Sequence, residues 1–89
     1  MNRSTEVAIV SKEGCVPCLR VKRIVGELKE ELPELEVTEV DFASGEGMAL
    51  AVRNNILYPP AVFINGSLFA KGKIPEEPLK KAVRKAARG

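Results

Sequence analysis

The chain has 89 residues, of which 45% are hydrophobic and 29% are charged, and its net charge is +2. This composition is typical of one small globular domain spanning residues 1–89 and excludes a disordered chain. The longest apolar stretch near the N-terminus, Val7 to Val10, is too short for a signal peptide or a membrane span. We therefore expect a cytoplasmic protein without a membrane partner.

Three elements are predicted in the first half of the chain. Residues 6–11 form a short β-branched run, which indicates a buried strand. From Pro17 until Pro33, where the helix must end, apolar residues recur at helical spacing. Residues 35–42 then alternate between apolar and polar side chains, which indicates a second strand.

Residues 43–55 predict a weaker helix. Its two glycines are expected to delay the start of the helix, because glycine disfavours helical structure. We expect its buried face to carry Met48, Ala51 and Val52.

The last third of the chain predicts a hairpin and a final helix. Residues 61–64 and 67–71 are strand-like segments joined by Asn65-Gly66, the strongest short signal for a hairpin turn. The final helix has an apolar stripe made of Leu79, Ala82, Val83 and Ala86.

The order β-α-β-α-β-β-α predicts an α/β fold. A first β-α-β unit implies two parallel strands, and the hairpin adds an antiparallel pair. The result is a four-stranded mixed sheet with helices on both faces. Ligand sites in such folds lie beyond the carboxyl ends of the strands, and residues 15–18, Cys-Val-Pro-Cys, occupy that place.

Charge is segregated along the chain. Residues 27–46 carry eight acids against Lys29 alone, and residues 70–89 carry seven bases against Glu76 and Glu77. These segments are either two solvated faces or a docking surface for a charged partner protein. Nucleic-acid binding is not expected, because the basic segment lacks interleaved aromatic residues.

The only two cysteines, Cys15 and Cys18, are three positions apart at the predicted start of the first helix. Pro17 suits the first helical position, which places Cys15 just outside the helix and Cys18 in its first turn. Free N–H groups and the helix dipole at this end favour a thiolate on Cys15. We therefore predict that Cys15 is the exposed nucleophile and Cys18 the shielded resolving thiol.

Other functions of a cysteine pair stay open on the residues alone. Two cysteines without a histidine cannot supply the four ligands of a closed zinc site in a monomer. A metal or iron–sulfur site shared between two copies, a Cu(I) carrier, and a pair of inert buried cysteines are the alternatives. A redox-sensing interaction module is a further one.

Three stretches resemble the thioredoxin and glutaredoxin superfamily over almost the whole chain. They are Ser-Lys-Glu-Gly-Cys-Val-Pro-Cys from residue 11, Pro-Ala-Val-Phe-Ile-Asn-Gly from residue 60, and the closing helix from Ile74. The resemblance implies a minimal thioredoxin fold and a thiol–disulfide oxidoreductase that needs no cofactor. It also implies that Pro60 is the cis-proline facing the Cys15–Cys18 disulfide.

The resemblance also implies which residues bind substrate. Lys12 matches the position whose ammonium holds a glutathione carboxylate, whereas Pro59 lacks the backbone N–H that would pair with a bound peptide or glutathione. Tyr58 is either a lip over the disulfide or an aromatic that fills a turn. We assign these three residues, with Pro60, to substrate binding, together with Val16 and Pro17.

Some thioredoxin features are missing. Gly14 stands where thioredoxins have tryptophan, and residues 7–10 offer no buried acid behind the resolving cysteine. We therefore expect water, or a side chain such as Glu13, to accept the proton of Cys18. The expected partners of this monomer are disulfide-containing proteins and, as electron donor, either glutathione or a reductase like thioredoxin reductase.

Overall fold

The computed structural model describes residues 4–88. The elements follow the predicted βαβαββα order. They are β1 (Glu6–Ser11), α1 (Val16–Glu31), β2 (Glu36–Asp41), α2 (Gly45–Asn54), β3 (Ala61–Ile64), β4 (Ser67–Lys71) and α3 (Glu76–Arg88). Within these residues, no helix combines the length and apolarity needed to cross a membrane.

The four strands form one mixed sheet, as predicted, and their order in the sheet is β2-β1-β3-β4. β1 runs parallel to β2 and antiparallel to β3, and β3 pairs with β4 in a hairpin. Asn65 and Gly66 both have positive φ, 50° and 84°, which a two-residue type I′ turn requires. The carboxyl ends of β1 and β2 therefore lie together at one edge of the sheet.

Hydrophobic cores lie on both faces of the sheet, because successive side chains of a strand point to opposite faces. On one face, Val7 and Ile9 of β1 pack with the buried stripe of α1 and with Leu79 and Val83 of α3. On the other face, Val10 packs with residues of β2, β3 and α2. The first helix is thus anchored directly over the strand that leads into the cysteines.

Two predictions about α2 are wrong. The helix is not delayed by its glycines, since Ser44 caps it by accepting the Gly47 N–H at 3.0 Å and the helix begins at Gly45. Met48 and Val52 do not face inward, because their side chains are 58% and 81% exposed.

The reason for the different facing is the close approach of α2 to the end of β2. A Cβ added at Gly47 would overlap the carbonyl of Asp41, so this side of the helix lies directly on the backbone. Residues three and four positions later then face the sheet, and Leu50 and Ala51 pack on the second core. The helix is rotated by roughly one residue from the predicted setting.

The segregated charges partly neutralise each other between α1 and α3. Lys80 lies 3.1 Å from Glu27 and 3.2 Å from Glu76, and Arg84 lies 2.7 Å from Glu31. Hydrogen bonds from Lys80 and then Arg23 lower the pKa of Glu27 below its usual value. The hydrogen bond from Arg84 likewise lowers the pKa of Glu31. The charged side chains of α1 and α3 named here therefore form ion pairs within the chain.

Candidate functional site

The two cysteines lie beyond the carboxyl end of β1, and they are joined by a disulfide with a Cα–Cα distance of 5.2 Å. Cys15 is the N-cap of α1 with extended backbone, φ −90° and ψ 106°, and Cys18 lies in the first turn. The helix begins at Val16, so Pro17 is its second residue rather than its first. Proline fits there equally well, because the first N–H groups of a helix have no intrahelical partner.

The start of α1 gives the two sulfurs different environments. The backbone N–H of Cys18 donates to the Sγ atom of Cys15 at 3.1 Å. After reduction, the same donor and the positive end of the helix dipole would stabilise a thiolate on Cys15. Cys18 is 1% exposed, whereas Cys15 is only partly buried. Of the two sulfurs, only that of Cys15 is thus exposed enough to attack an incoming disulfide.

The turn before the cysteines carries Lys12, Glu13 and Gly14. Gly14 has φ +82°, a left-handed conformation that other residues rarely adopt, and the N–H of Cys15 donates to the Lys12 carbonyl at 3.2 Å. This tight turn brings the chain from the strand into the helix. Both charged side chains are exposed, and Glu13 makes no hydrogen bond to Cys18.

The segment before β3 forms the opposite side of the site. The Pro59–Pro60 peptide bond is cis, and the Pro60 carbonyl accepts the N–H of Gly72 at 2.7 Å. Because Ala61 pairs with Val10, Pro60 lies beside the end of β1, from which the chain turns toward the cysteines. The structure therefore brings Pro60 and the disulfide to the same edge of the sheet.

Tyr58 is exposed, with its ring against the backbone of Gly72. A Cβ added at Gly72 would lie 3.5 Å from the Tyr58 ring. The ring also lines a cleft of about 210 Å³, together with Asn55, Leu57 and Lys71. A ring this exposed does not fill a gap in the core, and a role for Tyr58 as a lip over the disulfide stays a prediction.

Exposed apolar side chains lie at the start of α1 and in the segment before β3. Val16 and Leu19 lie one turn apart at the start of α1, and Leu57 is 84% exposed beside Tyr58. Leu19 and Leu57 were not predicted as site residues. Their signal in the sequence is an apolar residue outside a buried stripe. Leu19 lies off the buried stripe of α1, and Leu57 lies in the segment between α2 and β3.

Within residues 4–88, no three side chains of the metal-binding types come together in one group. The chemistry that the site supports is that of its disulfide. A disulfide between the N-cap and the first turn of a helix is an arrangement that suits thiol–disulfide exchange.

The comparison with protein families supports this chemistry. The glutaredoxin family model matches residues 7–69, and the chain belongs to this family. The resemblance to the thioredoxin and glutaredoxin superfamily is thereby confirmed. No curated protein matches the chain in sequence.

Solved structures show the same fold at low sequence identity. Oxidised thioredoxin from Plasmodium falciparum is 22% identical with a TM-score of 0.67, over 96% of this chain and 83% of that one. Thioredoxin f2 from Chlamydomonas reinhardtii is 14% identical with a TM-score of 0.71, over 100% of this chain and 84% of that one. Mitochondrial thioredoxin 3 from Saccharomyces cerevisiae is 18% identical with a TM-score of 0.68, over 94% of this chain and 80% of that one.

Proposed function

We propose that the protein reduces disulfides in other proteins, in the cytoplasm, through the Cys15–Cys18 couple. The Cys15 thiolate attacks one sulfur of the substrate disulfide, forms a mixed disulfide and releases one substrate thiolate, which takes up a proton. Cys18 then loses its proton and attacks the Sγ atom of Cys15. The second substrate thiol leaves, the Cys15–Cys18 disulfide forms, and two electrons have passed to the substrate.

The observation that carries this proposal is the asymmetry of the two sulfurs. Cys15 accepts a backbone N–H at the start of a helix and is partly exposed, while Cys18 is buried one turn later. The first property favours both attack by the Cys15 thiolate and its later departure as a leaving group. The burial of Cys18 prevents its attack on an external disulfide, so that Cys18 reacts only in the intramolecular step.

The surroundings of the disulfide favour a polypeptide substrate over glutathione. The exposed side chains of Val16, Leu19, Leu57 and Tyr58 offer an apolar surface that a folded or unfolded chain can cover. Pro59 can accept through its carbonyl but has no N–H, so one of two expected backbone hydrogen bonds is missing. Its loss weakens glutathione binding by about 0.5–1.5 kcal/mol.

Lys12, unlike Pro59, favours glutathione as the electron donor. Its side chain is exposed in the turn before Cys15, where the family resemblance gives a lysine that holds a glutathione carboxylate. We propose a reductase protein like thioredoxin reductase as the main donor, because the missing N–H at Pro59 affects every bound glutathione.

The test compares reduction of insulin disulfides with two sources of electrons. One is NADPH with thioredoxin reductase, and the other is glutathione with glutathione reductase. We expect turnover with the first to exceed turnover with the second, and Cys15→Ser to abolish both. If neither source supports turnover by the wild-type protein, the proposed function is wrong.

A further inference from the structure

Three cations lie toward the end of the sheet that carries the disulfide, on the side of β4 and the segment leading to α3. They are Arg20, Lys71 and Lys73, and we name them the cationic border. Residues 62–75 contain no acidic residue, so nothing along this stretch of chain offsets the charge. Lys71 lines the cleft beside Tyr58, and Lys73 follows the glycine on which the Tyr58 ring lies.

Two of these cations are held in place by backbone carbonyls. Arg20 donates from Nη1 to the Ile74 carbonyl at 2.7 Å. Lys71 donates from Nζ to the carbonyls of Asn54 at 3.0 Å and Asn55 at 2.8 Å. These hydrogen bonds fix the positions of the charges without neutralising them.

The cations of the border differ from those that lie between α1 and α3. Arg23, Lys80 and Arg84 each lie within 3.3 Å of a carboxylate. None of the three border cations forms an ion pair within residues 4–88. The border is therefore a surface with unneutralised positive charge.

The other sides of the disulfide do not share this charge. Lys12 and Glu13 offset each other in the turn before Cys15. Asp41 ends β2 and Glu46 lies in the first turn of α2, on the far side of the sheet order from β4. The formal charges of these residues are thus positive at the cationic border, balanced in the turn before Cys15, and negative at Asp41 and Glu46.

We propose that the substrates are proteins with acidic residues next to the target disulfide, and this inference rests on the proposed function. The acidic residues contact the cationic border, while an apolar neighbour packs on Leu57 and Tyr58. Opposite charges speed the encounter of two proteins and orient them before contact. Because Arg20 and Lys71 are already held, little side-chain freedom is lost when the substrate binds.

The test uses three peptides with the same disulfide core, flanked by glutamate, glutamine or lysine. The second-order rate of their reduction is measured with pre-reduced protein at low salt and at about 0.5 M salt. We expect the glutamate peptide to react about tenfold faster than the lysine peptide at low salt, and the difference to vanish at high salt.

Two variants with the same change of charge locate the effect. Lys73→Glu should abolish or reverse the preference, since Lys73 belongs to the cationic border and forms no ion pair within residues 4–88. Lys85→Glu, at an exposed position in the last turn of α3, should keep it. Equal rates for the three peptides, a preference for lysine, or equal effects of the two variants would overturn the inference.

A binding measurement separates this inference from the proposed function. Serine analogues of the peptides are titrated into the oxidised protein, and the NMR shifts of Tyr58 and Gly72 are followed. The glutamate analogue should bind more tightly than the lysine analogue whether or not the protein reduces disulfides. If it does not, the inference is wrong even when turnover is normal; if no peptide is reduced, the proposed function fails alone.

Discussion

Replacement of Gly47 by alanine tests how closely α2 lies on the end of β2. A Cβ at this position would overlap the Asp41 carbonyl oxygen and lie 2.9 Å from the Asp41 carbonyl carbon and 3.0 Å from the Phe42 Cα. All three atoms belong to the backbone, so no side chain can rotate to make room. The helix must move away from the strand.

The expected magnitude follows from two opposing effects. Forcing extra atoms into a packed contact costs about 1–3 kcal/mol, and the upper value applies because the neighbours are backbone atoms. Alanine stabilises a helix interior over glycine by about 1 kcal/mol. We therefore expect Gly47→Ala to lower the free energy of unfolding by about 2 kcal/mol.

Gly26 and Gly45 provide matched controls, since a Cβ at either position meets no atom within 4 Å. Gly26→Ala in the exposed face of α1 should raise the free energy of unfolding by up to about 1 kcal/mol. Gly45→Ala, two residues before Gly47 in the same helix, should be neutral or slightly stabilising.

Guanidinium unfolding followed by circular dichroism measures these differences. With a denaturant slope of about 2 kcal/mol/M for so small a domain, the Gly47→Ala midpoint should fall by about 1 M. A Gly47→Ala protein at least as stable as Gly45→Ala would refute the close contact and the rotation of α2 inferred from it.

Three further predictions concern the site and the ion pairs. In Cys18→Ser, alkylation of Cys15 should report a thiol pKa below the ordinary value, because the helix start stabilises the thiolate, and the variant should trap a mixed disulfide with substrate; an ordinary thiol pKa would argue against this activation. Pro59→Val restores a backbone N–H and should tighten glutathione binding about 2- to 10-fold, as measured by calorimetry; unchanged affinity would contradict the argument. The hydrogen bond from Arg84 lowers the pKa of Glu31 in the folded protein. The stabilisation from this ion pair is therefore fully present at pH values above the ordinary pKa of a glutamate, and it is lost as the pH falls through the lower pKa of the folded state. Thermal unfolding of the wild type should therefore lose more stability on acidification than Glu31→Gln does, and parallel curves would contradict this.

Local signals in the sequence predicted most of the fold. The β-branched run of β1, the helical stripe of α1 and the Asn65-Gly66 turn each specify their structure through neighbouring residues. The spacing of Cys15 and Cys18 predicted a reactive pair in the same way, since a helix start lies within a few residues of both.

The facing of α2 could not be predicted from its own residues. Met48 and Val52 are as apolar as the residues that are buried, so the pattern allows more than one rotation of the helix. The contact of Gly47 with the backbone of Asp41 selects one rotation, and this contact exists only after β2 and α2 have packed.

The sequence by itself determined the order of the elements, the position of the disulfide at a helix start and the total charge. Only the tertiary structure decided which charges are neutralised and which remain. Arg84 and Glu31 are 53 residues apart and pair because α1 and α3 pack side by side. Lys73 forms no ion pair within the described residues, so its charge stays unneutralised. Coulomb interactions depend on distance in space, which a sequence of residues does not contain.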